Sequence, residues 1–119
     1  MKLHIGGEQA KEGWKIFSIQ KKDNVDFVGD ISDLNQFKTE SIDEIYASHV
    51  LEHVGRFKVR STLEGIHRVL KKKGKFYVSV PDMDILAHAF VSTPASVENK
   101  FRIMRMMFGG QIDEYDFHY

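Results

Sequence analysis

The stretch "SIDEIYASHVLEHV", residues Ser41 to Val54, changes character halfway along. Its first half, Ile42 to Ser48, is an apolar run with β-branched and aromatic residues, which predicts a strand. Beyond Ser48 the period shifts. Val59, Leu63, Ile66, Val69 and Leu70 recur at three- and four-residue steps, which predicts a helix of about four turns with one apolar stripe. A strand running into a helix is half of an α/β unit, and the remaining chain repeats the theme.

Upstream, Met1 to Ile5 is a short apolar segment stopped by Gly6-Gly7, Trp14 to Ile19 is a second, and Val25 to Val28 a third, closed by Gly29-Asp30. Each predicts a strand, while Ile31 to Phe37 suits a short helical turn or loop. Downstream, Lys71, Lys72 and Lys73 followed by Gly74 match a helix C-terminus, where cations meet the dipole and glycine adopts the left-handed cap. Lys75 to Val80 (KFYVSV) is the fifth strand, stopped by Pro81. Helices are predicted at Met83 to Val91 and at Ser96 to Phe108, where Val97, Phe101, Met104 and Phe108 share a face. Met104, Met106 and Met107 suit core filling or an interface. The expected fold is α/β, a Rossmann-like, mainly parallel open sheet of about five strands with flanking helices. Such sheets bind ligands beyond the carboxyl ends of their strands, where strand order reverses. If the first and fourth strands are neighbours there, Gly6-Gly7 and Ser48-His49 line one crevice.

With 119 residues the chain suits one domain, residues 1–119, around a single core. Hydrophobic residues are 42% and charged residues 29%, and 17 basic side chains balance 17 acidic ones. No field of one sign favours nucleic acid or an anionic membrane surface. No apolar run approaches the roughly 20 residues of a membrane span, and the N-terminus does not resemble a signal peptide, so a cytoplasmic location is expected. The absence of cysteine removes disulfides, thiolate metal sites and cysteine nucleophiles together.

His49, Glu52 and His53 stand at the spacing H-x-x-E-H, the inverted zinc-peptidase pattern. On a helix the two histidines would share a face, with Glu52 activating water. A third protein ligand must come from elsewhere, and the pattern begins at a strand end rather than inside a long helix. No metal is therefore expected.

Four blocks together, "KLHIGG" (2–7), "GDISDL" (29–34), the stretch 41–54 and "VLKKKGKFYVSVPD" (69–82), resemble the class I S-adenosylmethionine-dependent methyltransferases. The resemblance is closest to a small group whose fourth strand ends in Ser-His-Val-Leu-Glu-His, and "FGGQ" with "DFH" (108–111 and 116–118) looks like a loop of that group. It implies S-adenosylmethionine as cofactor and a methyl acceptor of unknown identity. Gly6 and Gly7 would let the backbone approach the methionine part. Ser18 would stand where the family has an acid holding the ribose, Asp30 and Ile31 would face the adenine, and Ser48 and His49 would sit beside the sulfonium. His49 is the candidate proton acceptor should the methyl acceptor be a hydroxyl or amine.

The sequence departs from the family at Glu8, which replaces a further glycine and would repel the cofactor carboxylate unless the loop carries it away, with Lys11 as a possible partner. Ser18 lacks the paired oxygens that grip a diol, a loss of about 1 to 3 kcal/mol. The family's last two strands are missing, which exposes the fifth strand as an edge. A homodimer, or a covering helix Ser96 to Phe108, is the expected remedy. These departures also suit a chain that keeps the fold without the reaction, as a binding or assembly module or as a truncated fragment.

Overall fold

In the computed structural model, which describes residues 1–92 and 94–119, five strands form one parallel sheet. They are β1 (Lys2–Ile5), β2 (Trp14–Ser18), β3 (Phe27–Val28), β4 (Ile42–Ser48) and β5 (Leu70–Ser79), in the order β3-β2-β1-β4-β5. The chain steps outward from β1 through β2 to β3 and then crosses to the other side of β1. Ile5 consequently faces Phe17 on one side and Ala47 on the other. The switch point lies between β1 and β4, and the architecture is the expected Rossmann-like α/β sheet. No strand follows β5 among the described residues.

Alternation along β1 sends Leu3 and Ile5 to one face and Lys2 and His4 to the other. The first face is the core. Leu3, Ile5, Phe17, Ile45 and Ala47 pack there against Ile66 and Val69 of helix α1 (Val59–Val69) and against Ile31, Leu34 and Phe37 of the turn after β3. Arg68 locks α1 to that turn, donating from Nη1 to the Phe37 carbonyl at 3.0 Å and from Nη2 to the Leu34 carbonyl at 2.9 Å. The second face is built around aromatics. The Tyr46 ring meets His4 at 5.0 Å and Trp14 at 6.4 Å between centroids, and Lys2 bridges Glu44 at 2.9 Å. Burial, and secondarily Lys11, pushes the His4 imidazole below its ordinary value.

Three expectations change. The α1 stripe includes Thr62, whose Oγ1 donates to the Lys58 carbonyl at 2.9 Å, while Leu63 is exposed. Strand β3 shortens to two residues because Val25 is held in a turn, its N–H donating to the Lys22 carbonyl at 3.0 Å. The Lys71–Gly74 segment is not a helix cap. Leu70 leaves α1 with extended dihedrals and begins β5 by pairing with Ile42, and the next regular pair is Glu44 with Lys75. Residues 71–74 thus oppose Asp43 alone, in a wide bulge. Gly74 is needed for close approach rather than for a left-handed turn: a Cβ there would lie 2.9 Å from the Lys71 carbonyl oxygen and 3.1 Å from that of Asp43. Asp43 gathers the segment, accepting from Lys71 Nζ at 2.7 Å and from the N-terminal ammonium.

Helices α2 (Met83–Val91) and α3 (Val97–Phe108) begin at Asp82 and Ser96, whose side chains accept from the Ile85 and Asn99 N–H groups, each at 3.1 Å. They pack on one another, and α3 does not lie along β5. The covering helix expected for the edge is therefore not found. Tyr77 and Val78 of β5 remain 43% and 46% exposed, and Phe101, Met104, Met106 and Phe108 on α3 are exposed too, so these methionines do not fill a core. No helix among the described residues is long and apolar enough to cross a membrane.

Candidate functional site

The carboxyl ends of β1 and β4 open into a cavity of about 630 Å³. Five of the residues expected to hold the cofactor line it: Gly6, Ser18, Asp30, Ile31 and His49. They come from four different segments, and it is the strand order that unites them. Gly6 ends β1 in the left-handed region, φ +72°, and a Cβ on it would lie 2.6 Å from Val50 Cγ2. Glycine therefore answers both a backbone and a packing requirement here.

His49 leaves β4 with φ +55°, a conformation costing a non-glycine residue roughly 1 to 2 kcal/mol. Its N–H donates to the Ser79 carbonyl at 2.9 Å, which ties the strained residue to β5. The side chain is 63% exposed, with Nδ1 3.4 Å from Glu52 Oε1. Asp30 caps its own turn, Oδ1 accepting from the Ser32 N–H at 2.8 Å. Ser18 Oγ accepts from the Gln20 N–H at 3.2 Å.

Two expected residues lie elsewhere. Ser48 points sideways along the sheet, its hydroxyl 2.7 Å from that of Ser79 on β5, because alternation puts it on the opposite side from Ala47. Gly7 is buried against the His4 imidazole and does not reach the cavity. Glu8 is exposed and does not line the cavity, and its backbone carbonyl accepts from Asn24 Nδ2 at 2.6 Å. Lys11 lies over the Trp14 ring, its Nζ 5.7 Å from the centroid.

Sequence reasoning missed the wall formed by the C-terminal tail. Ile112 to Asp116 and Tyr119 line the cavity, and His53 and Lys58 join from the turn and helix start after β4. The tail is held by backbone bonds, Gln111 N–H to the Asp116 carbonyl at 3.0 Å and Tyr119 N–H to the Glu52 carbonyl at 2.9 Å. No hydrophobic period announces such a segment; "FGGQ" and "DFH" are its signals in the sequence. The lining is acidic, with Asp30, Asp113, Glu114 and Asp116 against Lys58. The Tyr115 phenol is pushed above its ordinary value by the Glu114 carboxylate beside it, with Asp30 and Asp113 adding to the effect.

The H-x-x-E-H pattern does not assemble as written. A 3-10 turn, Leu51–His53, follows the strained His49, and the group of His and Glu side chains that converges among the described residues is Glu52, His53 and His118.

Residues 5–78 match the family model described as a methyltransferase domain. No curated protein sequence matches the chain. Among solved structures, one similar chain comes from the complex between the Haloferax volcanii Trm112 methyltransferase activator and a proposed methyltransferase, at TM-score 0.53 and 21% identity, covering 75% of this chain and 49% of that one. Another is the trans-methyltransferase CalH in complex with SAH, at TM-score 0.50 and 21% identity, covering 71% of this chain and 33% of that one. The chain thus spans about half of the first and a third of the second, and at this identity the likeness is one of fold. The match over most of the sheet, from the end of β1 to β5, shows that the chain belongs to the methyltransferase domain family.

Proposed function

We propose that the chain binds S-adenosylmethionine in the cavity between β1 and β4 and transfers its methyl group to an acceptor, a small molecule or another compound, whose identity the site does not name. The observation that carries this reading is the convergence of Gly6, Ser18, Asp30, Ile31 and His49 on one cavity at the topological switch point. The acidic lining adds support. S-adenosylmethionine carries one positive charge more than its demethylated product, so a negative cavity favours substrate over product. Methyl transfer from a sulfonium needs chiefly alignment of nucleophile and methyl carbon. His49, exposed in the cavity, would accept a proton from a hydroxyl or amine acceptor.

Titration calorimetry with S-adenosylmethionine and S-adenosylhomocysteine, in the presence of a chelator, tests the reading. Saturable micromolar binding is expected, weakened by Asp30→Asn, which keeps the Oδ1 acceptor of the turn and removes the charge. No binding of either compound at millimolar concentration by the folded chain would leave the domain as a binding module without the reaction.

We further propose that the exposed edge of β5 pairs with a second copy of the chain. One structural neighbour was solved with an activator protein, which makes a different protein partner the alternative occupant. Sedimentation across a wide concentration range checks this: a chain monomeric throughout overturns self-association.

A further inference from the structure

The turn after β4 holds an unusual concentration of unsatisfied polar atoms. The Glu52 side chain is only 7% exposed, yet no described residue donates a hydrogen bond to either of its carboxylate oxygens. His49 Nδ1 lies 3.4 Å from Oε1 but is not aligned to donate. His53 Nδ1 is also buried and without a partner among the described residues. Buried polar atoms without partners are unfavourable, and a donor or a cation placed between these groups would satisfy them together.

The third member arrives from the tail. The His118 ring stands edge-on to that of His53, centroids 4.6 Å apart. Its Nδ1 lies 2.7 Å from the Met106 carbonyl oxygen. A carbonyl can only accept, so Nδ1 carries the proton, and in the neutral ring Nε2 is left with a free lone pair. This is how backbone carbonyls fix the tautomer of metal-binding imidazoles. One donor atom each from Glu52, His53 and His118 lies within 4.8 Å of the other two. Bond lengths of about 2.0 to 2.1 Å to a tetrahedral ion bring such atoms to about 3.4 Å, a movement of roughly an ångström.

We propose that Glu52, His53 and His118 bind one divalent transition-metal ion, zinc being the best match to two imidazoles and a carboxylate. The site acts as a clasp. It fastens the C-terminal tail, which walls the cavity, to the turn that follows the switch point, reinforcing the Tyr119 to Glu52 backbone bond. It is not the H-x-x-E-H site of the bare pattern, since His49 lies outside the group, and no hydrolysis is assigned to it. The proposal does not depend on cofactor binding.

The test uses the full, untagged chain, stripped with chelator and titrated with zinc by calorimetry and with cobalt by visible absorption. One equivalent should bind with micromolar or tighter affinity, and cobalt should develop a ligand-field band. Glu52→Gln and His118→Gln should each weaken zinc by at least about tenfold, while His49→Gln should leave it unchanged. Zinc should also slow amide hydrogen exchange in residues 109–119 of the unmodified chain, a readout that survives if a variant fails to fold. No uptake by the folded chain, equal affinity in Glu52→Gln and His118→Gln, loss confined to His49→Gln, or unchanged tail exchange would each overturn the clasp.

Discussion

Replacing Gly6 with alanine separates two costs that the structure superimposes at one residue. The left-handed dihedral, φ +72°, penalises any Cβ by roughly 1 to 2 kcal/mol, whatever surrounds it. The new methyl group would also lie 2.6 Å from Val50 Cγ2, which must rotate or shift at about 0.5 to 1.5 kcal/mol for an off-rotamer side chain. Gly6→Ala should therefore destabilise the fold by about 1.5 to 3.5 kcal/mol. For a chain of this length that corresponds to a fall in Tm of roughly 6 to 14 °C. Urea unfolding of the wild type, Gly6→Ala, Val50→Ala and the double variant isolates the second cost, because trimming Val50 removes the collision and leaves the dihedral penalty. The double variant should be more stable than the sum of single effects predicts, by about 0.5 to 1.5 kcal/mol. A loss below about 0.5 kcal/mol in Gly6→Ala would refute the dihedral argument, and strict additivity would refute the contact with Val50.

Three other outcomes are expected. Arg68→Lys cannot span two carbonyls as a fork, so it should lose about 1 to 3 kcal/mol in urea unfolding, and a neutral result would mean that the Leu34–Phe37 turn is held by apolar packing alone. The Asp43 carboxyl, lowered from 3.8 to about 2 by Lys71 and the N-terminal ammonium, favours the folded state above its unfolded value; that contribution should disappear as pH falls from about 4 to 2, and Asp43→Asn should flatten the profile there. Binding of S-adenosylmethionine should weaken more than that of S-adenosylhomocysteine as salt is raised toward 1 M, where the Debye length is about 3 Å; parallel behaviour would remove the acidic lining from the recognition argument.

The parts of this molecule legible in its sequence are those where local pattern and tertiary environment agree. Ile42–Ser48 and Met83–Val91 have the expected boundaries because no competing signal crosses them. The junction of α1 and β5 is ambiguous in sequence, because three lysines and a glycine are also what a helix end requires. Pairing of Leu70 with Ile42 overrode that local preference. Gly7 carried a family expectation, but the His4 ring accounts for its size. The tail shows in the sequence only through "FGGQ" and "DFH", and the meeting of Glu52, His53 and His118 not at all, because contacts between segments so distant in the chain leave no periodic trace.

The bulge at residues 71–74 also determines how β5 can meet another chain. A strand adding to an edge needs an unbroken row of N–H and C=O groups at regular spacing. Four residues crowded opposite one interrupt that row, and Lys71, Lys72 and Lys73 surround the break with charge. The edge is thereby divided into a guarded half and a permissive one. Any incoming strand would find continuous pairing only along Lys75–Ser79, the half that leads towards His49 and the cavity, so a chain added at this edge would lie at the same end of the sheet as the cavity.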